Sequence, residues 1–191
     1  MFADPLVCKA KFDREVDNVW RLAGEYHRRG VWLIDATFPE VYVALVATNI
    51  KPAIIPFGVV INFDNYDVEP PSVRFVHPFN RTPLKMSEIG TVFPTLMGFG
   101  PQGQPNVQGL VQAFSDERPF LCMQGVREYH DNPAHSGDSW LLHRNTGIGT
   151  LAHLLQVLVK HGSEPIKTLT VAFQAQAQVN AVQYLPELVS Q

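Results

Sequence analysis

The residues best equipped for chemistry lie in one stretch, PFLCMQGVREYHDNPAHSGDSWLLHRN, from Pro119 to Asn145. It holds Cys122, one of two cysteines, with Arg127, His130, Asp131 and His135 downstream. A cysteine attacks through its thiolate, and a neighbouring Arg or His⁺ favours that form. A histidine within reach can take or orient a proton near neutral pH. The plain alternative is that Cys122 is a small buried hydrophobe, a common fate of free cysteine, and that DNPAHSGD is simply a polar loop. Cys122, His130, His135 and His143 also form a loose set of possible zinc ligands. Structural zinc sites show tighter pairs, and only His130 and His135 come near such a spacing, so no metal or other cofactor is expected. A Cys-His hydrolase would call for an oxyanion loop or a G-x-S-x-G-like elbow, and neither is evident. Cys8, beside Lys9 and Lys11, reads as a tolerated surface thiol. A disulfide between it and Cys122 is not expected where thiols are kept reduced.

The rest of the chain must position that loop. Its 191 residues fit one domain with a sizeable core. Hydrophobic residues make up 46% and charged ones 17%, too apolar for a disordered chain. The net charge of −3 offers no basic stripe for nucleic acid. No apolar run approaches the ~20 residues that span a bilayer. The opening MFADPLVCKAKFDREV is charged and lacks the apolar heart of a signal peptide. A cytoplasmic protein with no nucleic-acid or membrane partner is expected.

Periodicity places the elements. Phe12, Val16, Val19, Trp20 and Ala23 recur at helical spacing, so a helix is predicted over Asp13–Arg29, closed by Gly30. Trp32 and Ile34, then Val41, Val43 and Leu45, predict two strands joined at Phe38-Pro39-Glu40. Phe57, Val59, Ile61 and Phe63 alternate in a third strand. Pro70-Pro71 makes a stiff extended lead into a short fourth strand, Val73–Val76. Pro78 has no N–H to continue a ladder, so the strand stops at His77. From Phe79 to Pro119 prolines and glycines scatter, which predicts loop with one short helix near Val107–Phe114. Leu151, Leu154, Leu155, Leu158 and Val159 form the stripe of a final helix, with Thr150 at its N-cap and Gly162 just past its end. Beyond it, TLTVAFQAQAQVNAVQY has strand periodicity and helix composition, and the two do not decide between them. The sum is an α+β layout, a meander sheet covered on one face.

In this order the chain resembles the ubiquitin-conjugating (E2) superfamily, in particular its divergent bacterial members. FGVVINF stands for the third strand, YDVEPP for the tyrosine corner, VRFVHP for the fourth strand and FLCM for the catalytic cysteine. Trp140 and TLAHLLQVL match a downstream tryptophan and helix. The likeness covers about residues 13–161 of a single domain spanning 1–191, with a long insertion at about 79–119. It departs from the pattern in three ways. Phe79 separates His-Pro from Asn80, the cysteine comes late, and the tail does not read as the family's last helices.

The resemblance implies an E2/UBC-like fold and an acyl transferase. Cys122 would accept a ubiquitin-like protein as a thioester from an E1-like adenylating enzyme and pass it to an amine. Asn80 would donate to the oxyanion, and His77 would pin the loop. His130 or His135 would orient or deprotonate the amine. Trp140 would pack under the last helix, with His143, His153 and His161 as surface or satisfied residues. Bacterial relatives of this kind keep company with E1-like enzymes and peptidases, several in antiphage defence. The insertion would cover the sheet or meet a partner, the E1 or a second copy of this chain. The competing expectation is a catalytically inactive E2-like or RWD-type binding module, in which Cys122 is incidental.

Overall fold

The computed structural model describes residues 3–170 apart from 90, 92 and 100. The first helix, α1, spans Pro5–Trp20 and starts eight residues before Asp13, because Asp4 and Pro5 already form a start signal. The Asp4 carboxylate accepts from Leu6 N at 2.8 Å, and Pro5, at the first turn, has no N–H to satisfy. The helix breaks at Arg21-Leu22 and resumes as α2, Ala23–Arg28. Trp20, placed by periodicity on the apolar stripe, is instead 52% exposed at this break. Gly30 does close the segment: its φ is +85°, and a Cβ would lie 2.3 Å from Val46 O. Cys8 is no surface thiol. It is 2% exposed on the buried face of α1, and burial, with the nearby Asp64 charge, pushes its thiol up.

Four antiparallel strands follow in sequential order: β1 Val31–Thr37, β2 Glu40–Ala47, β3 Ile54–Asn62 and β4 Ser72–Val76. Phe57, Val59, Ile61 and Phe63 all point into the core, as their alternation requires. On β1 the buried residue is Val31, while Trp32 and Ile34 face out. Strand β2 is buried on both faces. On the far side Tyr42, Val60 and Val76 cluster under the Arg81 guanidinium, 4.2 Å from the Tyr42 ring.

The insertion is only partly loop, and Val107–Phe114 contributes to strands rather than to a helix. A hairpin pairs β5, Pro94–Phe99, with β6, Pro105–Gly109, and a second ladder pairs β7, Val111–Ala113, with β8, Pro119–Leu121. The scattered prolines punctuate this structure: Pro94, Pro105 and Pro119 are each the first residue of a strand, where a missing N–H is tolerated. The insertion is anchored by Phe93, fully buried between Phe57 and Phe75 at 5.4 and 5.6 Å. Leu96, Met97, Phe99 and Val107 on the hairpin stay exposed.

A short helix α3, Arg127–Asp131, precedes the last one, α4, Leu151–Val157. Thr150 caps α4 as expected, accepting from His153 N at 3.4 Å. A second cap comes from across the core: the buried Glu15 carboxylate accepts from Leu151 N at 3.1 Å. The stripe Leu151, Leu154, Leu155, Leu158 and Val159 is buried against α1 and the sheet. The chain then widens into a π-type turn over Leu158–Ser163, so Gly162 lies inside the helical run rather than beyond it. A Cβ there would meet the Phe93 ring at 2.5 Å. Most of the tail, residues 171–191, lies outside the described residues. Among the described residues no helix is long and apolar enough to cross a membrane.

Candidate functional site

The rigid corner at Pro70-Pro71 is locked to the cysteine-bearing segment. Arg127 donates from its backbone to Pro71 O at 2.9 Å and from Nε to Pro70 O at 3.2 Å, and its guanidinium also reaches Asp64 O and Glu69. The Glu128 carboxylate accepts from Val73 N at 3.1 Å and from the Ser72 hydroxyl. Burial pushes that carboxyl up against these favourable bonds. Trp140 donates from Nε1 to Asp67 O at 3.1 Å. Its ring occupies the place where a Cβ on Gly149 would stand, 2.6 Å away. It packs at the corner, against the Gly149 backbone just ahead of α4. Gly125 permits the tight passage after Cys122, since a Cβ there would meet Ile148 O at 2.1 Å.

Cys122 follows β8 directly, and its N–H donates to Leu110 O at 2.7 Å. Its Sγ lies 3.4 Å from His135 Nε2 in a cleft of about 200 Å³. The hairpin supplies one wall through Thr95, Met97 and Gln108, and Leu110 and Gln112 supply another. Arg127 does not face the thiol, because the corner claims its guanidinium. Half-burial therefore acts alone and pushes the Cys122 thiol up. The imidazole of His135 is the group placed to offset that.

His135 stacks on Tyr129, with ring centroids 3.9 Å apart and an 18° tilt. The Tyr129 hydroxyl donates to Asp138 Oδ2 at 2.8 Å, and His143 Nε2 bonds Asp138 Oδ1. The hydrogen bonds from His143 and Tyr129 hold the Asp138 carboxyl down at about 2. Burial, then the bond to Asp138 and its charge, push the Tyr129 hydroxyl up to about 12.

The other expected site residues are placed apart from the thiol. Both ring nitrogens of His130 face carbonyl oxygens, Asp138 O at 2.8 Å and Gln124 O at 2.7 Å, so the ring pins the loop rather than reaching toward the thiol. Asp131 is exposed at the end of α3. His77 closes its own turn, donating from N to Thr82 O at 2.8 Å and accepting from Phe79 N at Nδ1, 3.4 Å away. Asn80 Oδ1 accepts from Thr82 N at 3.0 Å and Thr82 Oγ1 at 2.8 Å. Neither His77 nor Asn80 lines the cleft. Of the histidines expected to be surface or satisfied residues, His161 bonds Pro94 O through Nδ1 at 2.9 Å, His143 bonds Asp138, and burial pushes His153 down. Among the described residues no three His, Cys, Asp or Glu side chains converge to hold a metal ion.

Sequence reasoning missed Tyr129, Asp138 and the hairpin wall. Tyr129 and His135 meet only because Pro133–His135 folds back as a turn of 3₁₀ helix. The local signal for that fold is Asn132-Pro133: Asn132 Oδ1 accepts from Ala134 N at 3.0 Å, and Pro133 opens the turn.

The family model described as Y4jH-like, Y4jH family, matches residues 3–166 of the chain. The chain is also 40% identical over 183 residues to "Uncharacterized protein y4jH" of Sinorhizobium fredii (strain NBRC 101917 / NGR234), an alignment covering 90% of this chain and 89% of that one.

Proposed function

We propose that this chain, which belongs to the Y4jH-like family, is an E2-like carrier that holds a ubiquitin-like protein as a thioester on Cys122. The observation that carries the reading is the 3.4 Å approach of His135 to a half-buried cysteine on a helix-and-meander frame. The order of the corner, the fourth strand, His-Pro and the cysteine segment supports it.

In the charging step the Cys122 thiolate attacks the carbonyl of the modifier's thioester on an E1-like enzyme. A new C–S bond forms, and the E1 thiolate leaves and takes up a proton. In discharge an amine attacks the Cys122 thioester. The amine gives its proton to His135, and the Cys122 thiolate leaves and is reprotonated. The developing oxyanion needs a donor in the cleft. Gln108 and Gln112 line it, and in this proposal a side-chain amide from one of them takes the part that the resemblance gives to Asn80. The setting proposed is the cytoplasm, with an E1-like enzyme and a ubiquitin-like protein as partners, in a bacterial antiphage conjugation system.

A second reading, the inactive E2-like or RWD-type binding module, is favoured by one observation: burial raises the Cys122 thiol, and among the described residues no charged group offsets it. A charging reaction separates the two. With ATP, the E1-like enzyme and the modifier, the carrier gives a reductant-sensitive band on a non-reducing gel, absent in Cys122→Ala and kept in Cys8→Ala. The binding module gives none while still retaining its partner on a column.

A further inference from the structure

We infer that Tyr129 and Asp138 are positioning residues that aim His135 at Cys122. The inference rests on the Cys122–His135 reading of the site, though not on which acyl group the cysteine carries. His135 receives no other side-chain hydrogen bond among the described residues, and its ring is fixed by two things. One is its contact with Cys122, and the other is the Tyr129 ring beneath it, 3.9 Å away and nearly parallel. A stacked aromatic plane leaves an imidazole free to slide and turn within that plane. Where it comes to rest therefore depends on where the tyrosine stands.

The tyrosine is held at both ends. Its backbone belongs to α3, which the Arg127 and Glu128 bonds tie to the corner. Its hydroxyl is tied to Asp138 at 2.8 Å. Asp138 is fixed in turn from three directions: Oδ2 by Tyr129, Oδ1 by His143, and its carbonyl by His130 Nδ1 at 2.8 Å. A chain of contacts thus runs from His143 through Asp138 and Tyr129 to His135 and the thiol. Each link is a hydrogen bond or a ring contact, and none requires substrate.

The charged and titratable groups around His135 are few. Cys122 faces it from the end of β8, and Tyr129 from α3. Asp138 and His130 sit behind Tyr129, and His143 lies beyond Asp138. The hairpin wall contributes Thr95, Met97, Gln108 and Gly109, and no charged residue occurs between Glu88 and Asp116. A change in the ring's position should therefore appear in thiol reactivity, without masking by nearby charges.

The experiment measures Cys122 alkylation by iodoacetamide against pH in the full chain carrying Cys8→Ala, with folding checked by thermal melting. The thiolate displaces iodide to give a thioether, so no partner protein enters. His135→Ala is expected to slow alkylation near pH 7 by about 10-fold, leaving a buried thiol unaided. Tyr129→Leu is expected to lose a similar amount and to move the pH profile onto that of His135→Ala. The double variant His135→Ala/Tyr129→Leu is expected to lose no more than either alone, the mark of two residues acting as one. Tyr129→Phe keeps the stack but loses the tether, and Asp138→Asn keeps the shape but loses the charge. Both are expected to fall between wild type and His135→Ala, and both carry the test if Tyr129→Leu does not fold. A wild-type profile in Tyr129→Phe and Asp138→Asn, or additive losses in the double variant, would overturn the positioning role while leaving the Cys122–His135 pair standing. A wild-type profile in His135→Ala would overturn the pair itself, and the positioning role with it.

Discussion

Asp138 holds two side chains with one carboxylate, and its titration should be visible in stability. Its pKa in the fold is about 2, below the ~3.9 of a free aspartate. A carboxylate depressed on folding stabilises the native state above the unfolded value, and that contribution is lost as pH falls through the folded one. Asp138→Asn should therefore melt below wild type near pH 6, and the gap in Tm should close between about pH 4 and pH 2. A gap independent of pH would mean that the carboxylate charge is not what Tyr129 and His143 respond to. For the reaction, His135→Ala should slow discharge of a loaded Cys122 to free lysine by roughly 10²-fold, the usual worth of a positioned base. The same change at His130 should lower Tm and slow discharge less than His135→Ala does, because it removes only one of the three holds on Asp138.

Glycine and proline set what each element can do. Gly125→Ala places a Cβ 2.1 Å from Ile148 O, against backbone rather than a flexible side chain. It should destabilise the fold by roughly 2–4 kcal/mol, read by denaturant melts. The β5–β6 hairpin divides sharply between anchor and wall. Removing all of residues 79–119 would take out Phe93, a fully buried ring of the core, and should abolish folding. Replacing only residues 96–107 with a short Gly-Ser turn should leave Tm nearly unchanged but open the cleft at Cys122.

The elements also explain how far the sequence could be read. Strand β3 was legible because Phe57, Val59, Ile61 and Phe63 must share a face. The start of β4 was legible because Pro70-Pro71 admits few conformations. The hairpin was not, since its prolines and glycines look like loop until their positions at strand starts and turns are known. The site divides the same way. Cys122 and His135 stood out by type and shared segment. Tyr129 and Asp138 acquire meaning only when the 3₁₀ turn at Pro133–His135 brings them against the histidine. Asn80 was assigned to the oxyanion from the resemblance alone, while its side chain bonds Thr82 within its own turn.

For the whole molecule, corner, cysteine segment and hairpin form one construction. The four-stranded sheet and α1 supply a fixed floor, the corner clamps α3, and the hairpin leans over the thiol. Across that construction the decisive measurement is the intact mass of the protein after incubation with ATP, an E1-like enzyme and a ubiquitin-like protein from its own genome. An E2-like carrier on Cys122 should gain a mass equal to the modifier less one water. That adduct should be removed by hydroxylamine at neutral pH, abolished by Cys122→Ala and indifferent to Cys8→Ala. An unmodified mass, with the E1 shown to charge itself, or an adduct that survives Cys122→Ala, would contradict it.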